Sequence, residues 1–188
     1  VGQIRDRLRR AIRVRAGRCP NPVTAIIDSQ SVKAAETVSQ KSRGFDNAKK
    51  INGRKRSLIV DTKGLPMLVM VTPADRQDRA IARDLLARLR LLHPQLTLVW
   101  ADHAYAGLLV GWVSRFLGLT LKIVSKAVDQ VGFKVLPRRW IVERSLSWLL
   151  RARRTVRDYE RLPQHAEAHI TRAVITLMTR RLARGMPG

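Results

Sequence analysis

Cysteine is almost missing from this chain: Cys19 stands alone among 188 residues. That excludes an internal disulfide and any multi-cysteine zinc or iron–sulfur centre, and it is the usage expected of a cytoplasmic protein. Acidic residues are scarce as well, 14 Asp and Glu against 37 Lys and Arg, for a formal net charge of +23. A surface so unbalanced repels itself and calls for a polyanionic partner, most simply nucleic acid. Arg supplies 28 of the cations and Lys 9; the Arg fork suits phosphate oxygens, although a GC-rich genome raises Arg with no functional cause. No apolar run reaches the roughly 18 residues of a membrane span, since even Gly107 to Leu121 is interrupted by Arg115. Internal repeats and low-complexity tracts are absent too.

What is present has the patterning of one α/β domain. The first eighteen residues carry seven Arg and one Asp, with Ile4, Leu8 and Ile12 at helical spacing, a basic helix that also has the composition of an organellar transit peptide. A breaker cluster, Arg18 to Pro22, precedes TAIID (Thr24 to Asp28), a short buried-strand pattern ending in a carboxylate. Residues 31–53 lose periodicity and collect Lys41, Arg43, Lys49 and Lys50, which predicts an irregular basic loop. RKRSLIVD and LPMLVMV, joined by Thr62-Lys63-Gly64, predict a hairpin over Arg54 to Val71. Asp75 is placed to cap a helix reaching Leu92, LTLVW (Leu96 to Trp100) predicts a strand followed by Asp102, and a further helix and the strand Thr120 to Val124 come next. Pro137 predicts the start of a long helix through Tyr159, and Pro163 that of a last one. Antiparallel strands first and α/β alternation later imply a mixed five-stranded sheet flanked by helices.

In a chain this poor in acids, Asp28 and Asp102 each close an apolar strand. Two carboxylates held side by side near a core raise each other's pKa unless a cation is shared. Glu143, beside Val142 on the predicted long helix, lies at the margin of that helix's apolar stripe, able to point toward the sheet. Three such carboxylates suit two Mg²⁺, with Mn²⁺ as a substitute, in phosphodiester chemistry. Ordinary readings stand beside this one: Asp28 as a turn residue, Asp102 as a helix cap, Glu143 as an ion-pair partner of Arg139 or Arg144. Asp61, in Asp-Thr-Lys-Gly, reads as hairpin-turn chemistry.

Four blocks then align with a family. IIDSQSVK (Ile26 to Lys33), KKINGRKRSLIVDT (Lys49 to Thr62), WADHAYAG (Trp100 to Gly107) and PRRWIVERSLSWLLRARR continuing to DYE (Pro137 to Glu160) resemble bacterial insertion-sequence transposases of the DDE type, specifically the insertion-sequence-five family. The resemblance runs in order from Pro22 to Tyr159. It implies a ribonuclease-H-like catalytic core in which Asp28 and Asp102 match the family aspartates and Glu143 the glutamate, together binding two Mg²⁺. Arg139 matches the arginine of the family's tyrosine-arginine-glutamate-lysine signature. Leu136 and Leu150 replace the tyrosine and the lysine, Arg151 stands one place after the latter, and His103 and Ala104 occupy positions that hold glycines in similar sequences.

The resemblance further implies hydrolysis at transposon ends and joining of the 3′-OH to target DNA, on double-stranded DNA carrying terminal inverted repeats, by a homodimer formed on that DNA. Lys33, Lys49, Lys50, Arg54, Lys55, Arg139 and Arg151 are the expected phosphate contacts. Similar transposases carry a further N-terminal segment of helix-turn-helix type, so residues 1–21 are expected to be the remnant of a longer region, 22–160 the catalytic domain and 161–188 a basic C-terminal helix. A non-catalytic DNA-binding remnant and a basic RNA-binding protein are the rival classes. His165 and His169, four apart, have zinc-compatible spacing but no third ligand nearby. Trp140 and Trp148 read as core residues more readily than as base-stacking ones.

Overall fold

The computed structural model describes residues 1–124 and 139–184, with only the backbone at position 139. Its centre is β1 (Thr24–Lys33), whose alternating side chains serve two cores at once. Ala25 and Ile27 join one core with Ile59, Ile81, Leu85 and Val113. Ile26 joins the other, with Leu58, Val60, Val142, Leu146 and Val174. The first is closed by α2 (Asp78–Leu92) and α3 (Leu108–Leu117), the second by α1 (Gly2–Arg15), α4 (Arg139–Leu149) and α5 (Pro163–Ala183). Each aliphatic side chain buried this way contributes about 1.5–3 kcal/mol.

On one flank β1 pairs antiparallel with β3 (Ile51–Asp61), from Ala25 opposite Asp61 to Lys33 opposite Gly53. On the other, Thr24 to Ile26 pair parallel with β5 (Leu98–Asp102), and β6 (Thr120–Val124) continues the parallel half. Gly53 pairs with Lys33 on one side and with Gly44 on the other, while Arg54 pairs with Val32 and Pro73. It follows that β2 (Gly44–Asp46) and β4 (Pro66–Pro73) lie end to end along one edge of β3. The sheet thus has six strands and is five wide, correcting the expected count of five. The extra strand comes from the segment expected to be an irregular loop. This is a mixed sheet flanked by helices, as expected.

Three further expectations are corrected. β1 does not stop at Asp28 but runs to Lys33, because pairing with β3 continues after β5 has left. Helix α2 is preceded by Gln77, not Asp75, and carries Asp78 in its first turn, where the helix dipole favours a carboxylate. Helix α4 ends at Leu149 instead of Tyr159; the Thr155 hydroxyl donates to the Leu149 and Ala152 carbonyls, and Asp158 bridges to Ala34 beside β1. Tertiary partners therefore draw residues 150–160 out of the helix that their spacing suggests. Pro137 and the loop before it lie outside the described residues, whereas Pro163 opens α5 as expected.

The first helix buries cations along one face: Arg5, Arg9 and Arg13 accompany Ile12 inward. Arg13 pairs with Asp61 at 2.8 Å and donates to the Cys19 carbonyl, and Arg15 donates to the Leu182 carbonyl of α5. Asp61 also accepts the Lys63 and Leu65 amides, closing the β3–β4 turn at Gly64, whose φ of +79° and close approach to Ser145 both demand glycine. Among the described residues, no helix is long and apolar enough to cross a membrane.

Candidate active site

Asp28 and Asp102 converge for a topological reason. The parallel register sets Ile26 opposite Trp100, so Asp28 and Asp102, two residues further on in each strand, keep the same parity and face. Direct pairing of β1 with β5 has ended by then, leaving a narrow cleft lined by Ile26, Asp28, Trp100, Asp102 and Val124. Crevices outside the carboxyl ends of parallel strands, at the point where the sheet changes its winding, are the usual ligand sites of such sheets.

Both carboxylates are half-buried, and each has one oxygen engaged locally. Asp28 Oδ1 accepts the Ser29 amide at 2.7 Å, and Asp102 Oδ1 accepts the Ala104 amide at 3.0 Å. Asp102 thereby caps the short 3₁₀ turn His103–Tyr105, so its reading as a cap and its reading as a cleft carboxylate hold together. Tyr105, 2% exposed, lies beneath the pair. Burial first, then the charges of Asp28, Asp78 and Asp102, push its phenol well above the ordinary tyrosine range, with the Ser29 side chain opposing. Its hydroxyl stays protonated.

Asp78 was not among the candidates read from the sequence. It accepts the Ser29 hydroxyl at 2.9 Å and pairs with Lys55 Nζ at 3.2 Å, which ties the start of α2 to β1 immediately after Asp28. Its signal in the sequence was a lone acid at the first position of a strongly periodic helix, which reads equally as an ordinary dipole partner.

Glu143 is carried by α4, whose Val142 and Leu146 enter the same core as Ile26, so it approaches the sheet from the face that Asp28 shares. Its own side chain is exposed. Among the described residues, no three His, Cys, Asp or Glu stand close enough to hold a metal together. The donor chemistry of Asp28 and Asp102, two carboxylates on one face of a cleft, fits a hard divalent cation.

The expected phosphate contacts divide sharply. Lys33, Lys49, Lys50 and Arg151 are exposed, and Lys49 Nζ lies 3.4 Å from the carbonyl of Ser29, the residue after Asp28. Arg54 and Lys55, expected as phosphate contacts too, are instead 0% and 6% exposed. Arg54 pairs with Asp158 and donates to Ser42, Glu160 and Arg161, while Lys55 donates to the Arg76 carbonyl and pairs with Asp78. The cause is position: β3 is a central strand, so both its faces are covered. The side chain of Arg139 lies outside the described residues, as does Leu136. His169 meets Glu160 at 3.5 Å, His165 is exposed, and neither belongs to a metal-holding group among the described residues. Trp140 is 44% exposed, so the core reading fails for it, and Trp148 is half-buried.

A family model described as a transposase DDE domain matches residues 20–178. No curated protein matches the chain significantly. Among solved structures, the catalytic core domain of BIV integrase is similar at a TM-score of 0.48 and 16% identity, over 84% of each chain. The catalytic domain of Mos1 mariner transposase is similar at a TM-score of 0.46 and 9% identity, over 98% of this chain and 93% of that one.

Proposed function

We propose, from the premise that this chain belongs to the transposase DDE domain family, that it is the catalytic domain that cuts phosphodiesters at transposon ends and joins the 3′-OH to target DNA. The observation that carries the reading is the pair Asp28 and Asp102, set on one face at the mouth where β1 and β5 part, with Lys49 reaching the carbonyl next to Asp28. Asp28 and Asp102 would hold Mg²⁺ or Mn²⁺, and Glu143 would complete the set. When bound, such a cation supplies Lewis acidity to the phosphate and lowers the pKa of the attacking oxygen.

The chain's own residues do the rest. Lys33, Lys49 and Lys50 draw the DNA backbone toward the carboxylates, and Arg139 and Arg151 hold it from the α4 side. Tyr105 positions the loop that carries Asp102, filling the floor with an uncharged phenol. The substrates are the inverted repeats and target duplex of a bacterial insertion sequence of the insertion-sequence-five type, handled by a homodimer assembled on DNA.

Nicking of supercoiled plasmid in Mg²⁺ or Mn²⁺ tests the reading. Asp28→Asn and Asp102→Asn should each abolish cleavage and leave DNA affinity unchanged, since each swap keeps shape and removes charge. Mg²⁺ should raise the melting temperature of the parent and of neither variant. An Asp28→Asn protein that cuts at the parental rate would sink the assignment.

A further inference from the structure

On the face opposite α2 and α3, helices α4 and α5 meet the β3–β4 turn around a groove of about 380 Å³. Its floor is apolar, built on Leu149, Val174 and Met178, and Trp148 forms part of its wall. Its rim is cationic: Arg151, Arg180, Arg181 and Arg184 line it, and among the described residues no carboxylate does. Arg144 and Arg181 stand 4.8 and 4.7 Å from the centre of the Trp148 ring, and Arg144 lies 4.6 Å from that of Trp140. Arg144 Nε is buried with no hydrogen-bond partner among the described residues. The nearby acid, Asp61, is already paired with Arg13 at 2.8 Å. Burial and then the neighbouring Arg144 lower the pKa of Arg181, with Asp61 opposing, so the groove concentrates positive charge where solvent screens it poorly.

A cavity with an apolar floor, an aromatic wall and several guanidinium groups is complementary to a ligand that joins flat apolar rings to regularly spaced anions. We propose that this groove is a binding site for single-stranded DNA, with a base stacking on the Trp148 ring in place of one of the guanidinium groups that cover it and the flanking phosphates on Arg180, Arg181 and Arg184. Arg is suited to both parts, forking onto phosphate and stacking on aromatic faces. The proposal rests on the reading of this chain as a DNA-acting domain and adds to it a second DNA surface, built by α4 and α5 and distinct from the cleft of Asp28 and Asp102.

Fluorescence anisotropy with a labelled 12-nucleotide strand, and with the same strand carrying abasic sites throughout, separates base from phosphate. The parent should bind the base-bearing strand about fivefold or more tightly than the abasic one, the scale of a single stacked base. Trp148→Leu should erase that ratio and leave the salt dependence intact. The double variant Arg180→Ala, Arg184→Ala should do the reverse, lowering the slope of log affinity against log salt by about 1.4, at roughly 0.7 per cation on a single strand. Melting temperatures of all variants are compared with the parent; if Trp148→Leu does not fold, the parent's base-to-abasic ratio and the arginine variant decide.

Equal affinity for the two strands in the parent, or an unchanged salt slope in the arginine variant, overturns the proposal. So does a pattern in which the variants lose binding to phosphatidylglycerol vesicles while keeping the strand, which would assign the groove to an anionic lipid. Asp28→Asn is the control for the other site. If it still cuts while base-dependent binding survives, the catalytic assignment falls and the groove stands; if nicking behaves as expected but base-dependence is missing, the groove alone falls.

Discussion

Arg54 and Arg181 carry the same guanidinium and meet opposite fates. Arg54, in the central strand β3, is fully buried with Asp158 and three residues supplying oxygens around it. Arg181, on α5, shares the ring of Trp148 with another arginine beside a groove that no carboxylate lines among the described residues. Its neighbour in β3, Arg56, repeats the first pattern, bonded to the Thr155 carbonyl and pulled by burial down to about 10. The difference teaches that a large positive charge is two populations. One is consumed in holding β3 to residues 150–161, and the other is left facing outward for a polyanion.

The comparison breaks most visibly at Arg54. Arg54→Ala should strand Asp158 as a buried, unpaired carboxylate and cost about 3–5 kcal/mol, a fall in melting temperature of roughly 6–20 °C for a chain of this size. Thermal unfolding measures it, and a change within a degree or two would mean that the buried fork is dispensable.

Lys49→Gln with Lys50→Gln should act the other way. Both residues are exposed, so the melting temperature should hold while the salt slope for duplex DNA falls by about 1.8, at roughly 0.9 per neutralised phosphate. A replacement set that mixed these with Arg54 and Lys55 would confound the two populations and lower stability and affinity together. A loss of melting temperature in the lysine pair alone would show that these two lysines are structural.

The smallest effect concerns cations that are buried without full partners. Arg9 is fully buried and its Nε and Nη1 find no partner among the described residues. Beside it, burial and then the Arg9 charge depress His93 to about 4 from 6.5. A folded-state pKa below the unfolded one means that His93 is neutral when folded. Its contribution is complete above pH 6.5 and is lost as the pH falls through about 4, because the unfolded chain takes up the proton first. His93→Gln should therefore flatten the melting temperature against pH between 6.5 and 4 relative to the parent. Parallel profiles would remove His93 from the account.

Much of the architecture was legible because burial imposes a period. Ile81, Leu85 and Leu89 mark α2, and the apolar runs at Thr24 to Asp28 and Leu96 to Trp100 mark β1 and β5, the latter two residues early. The candidate acids were legible as rare charges beside those runs. The short strand β2 was hidden, since a three-residue edge strand has no period to read. The true end of α4 was hidden too, because Arg56 and Thr155, 99 residues apart, decide it. Asp78 and Tyr105 escaped notice because each is an ordinary residue until the fold sets it beside Asp28.

The amino-acid sequence by itself determined the excess of positive charge, the alternation that makes β1 serve two cores and the carboxylates Asp28 and Asp102 at the strands. Only the tertiary structure decided which cations remain available. A strand covered on both faces must satisfy Arg54 and Arg56 internally, since an unpaired buried charge costs several kcal/mol, whereas the helices facing solvent leave Arg180 and Arg184 open to a partner. Charge is local to a residue, but its neutralisation depends on groups a hundred residues away, and that pairing is settled only when the sheet closes.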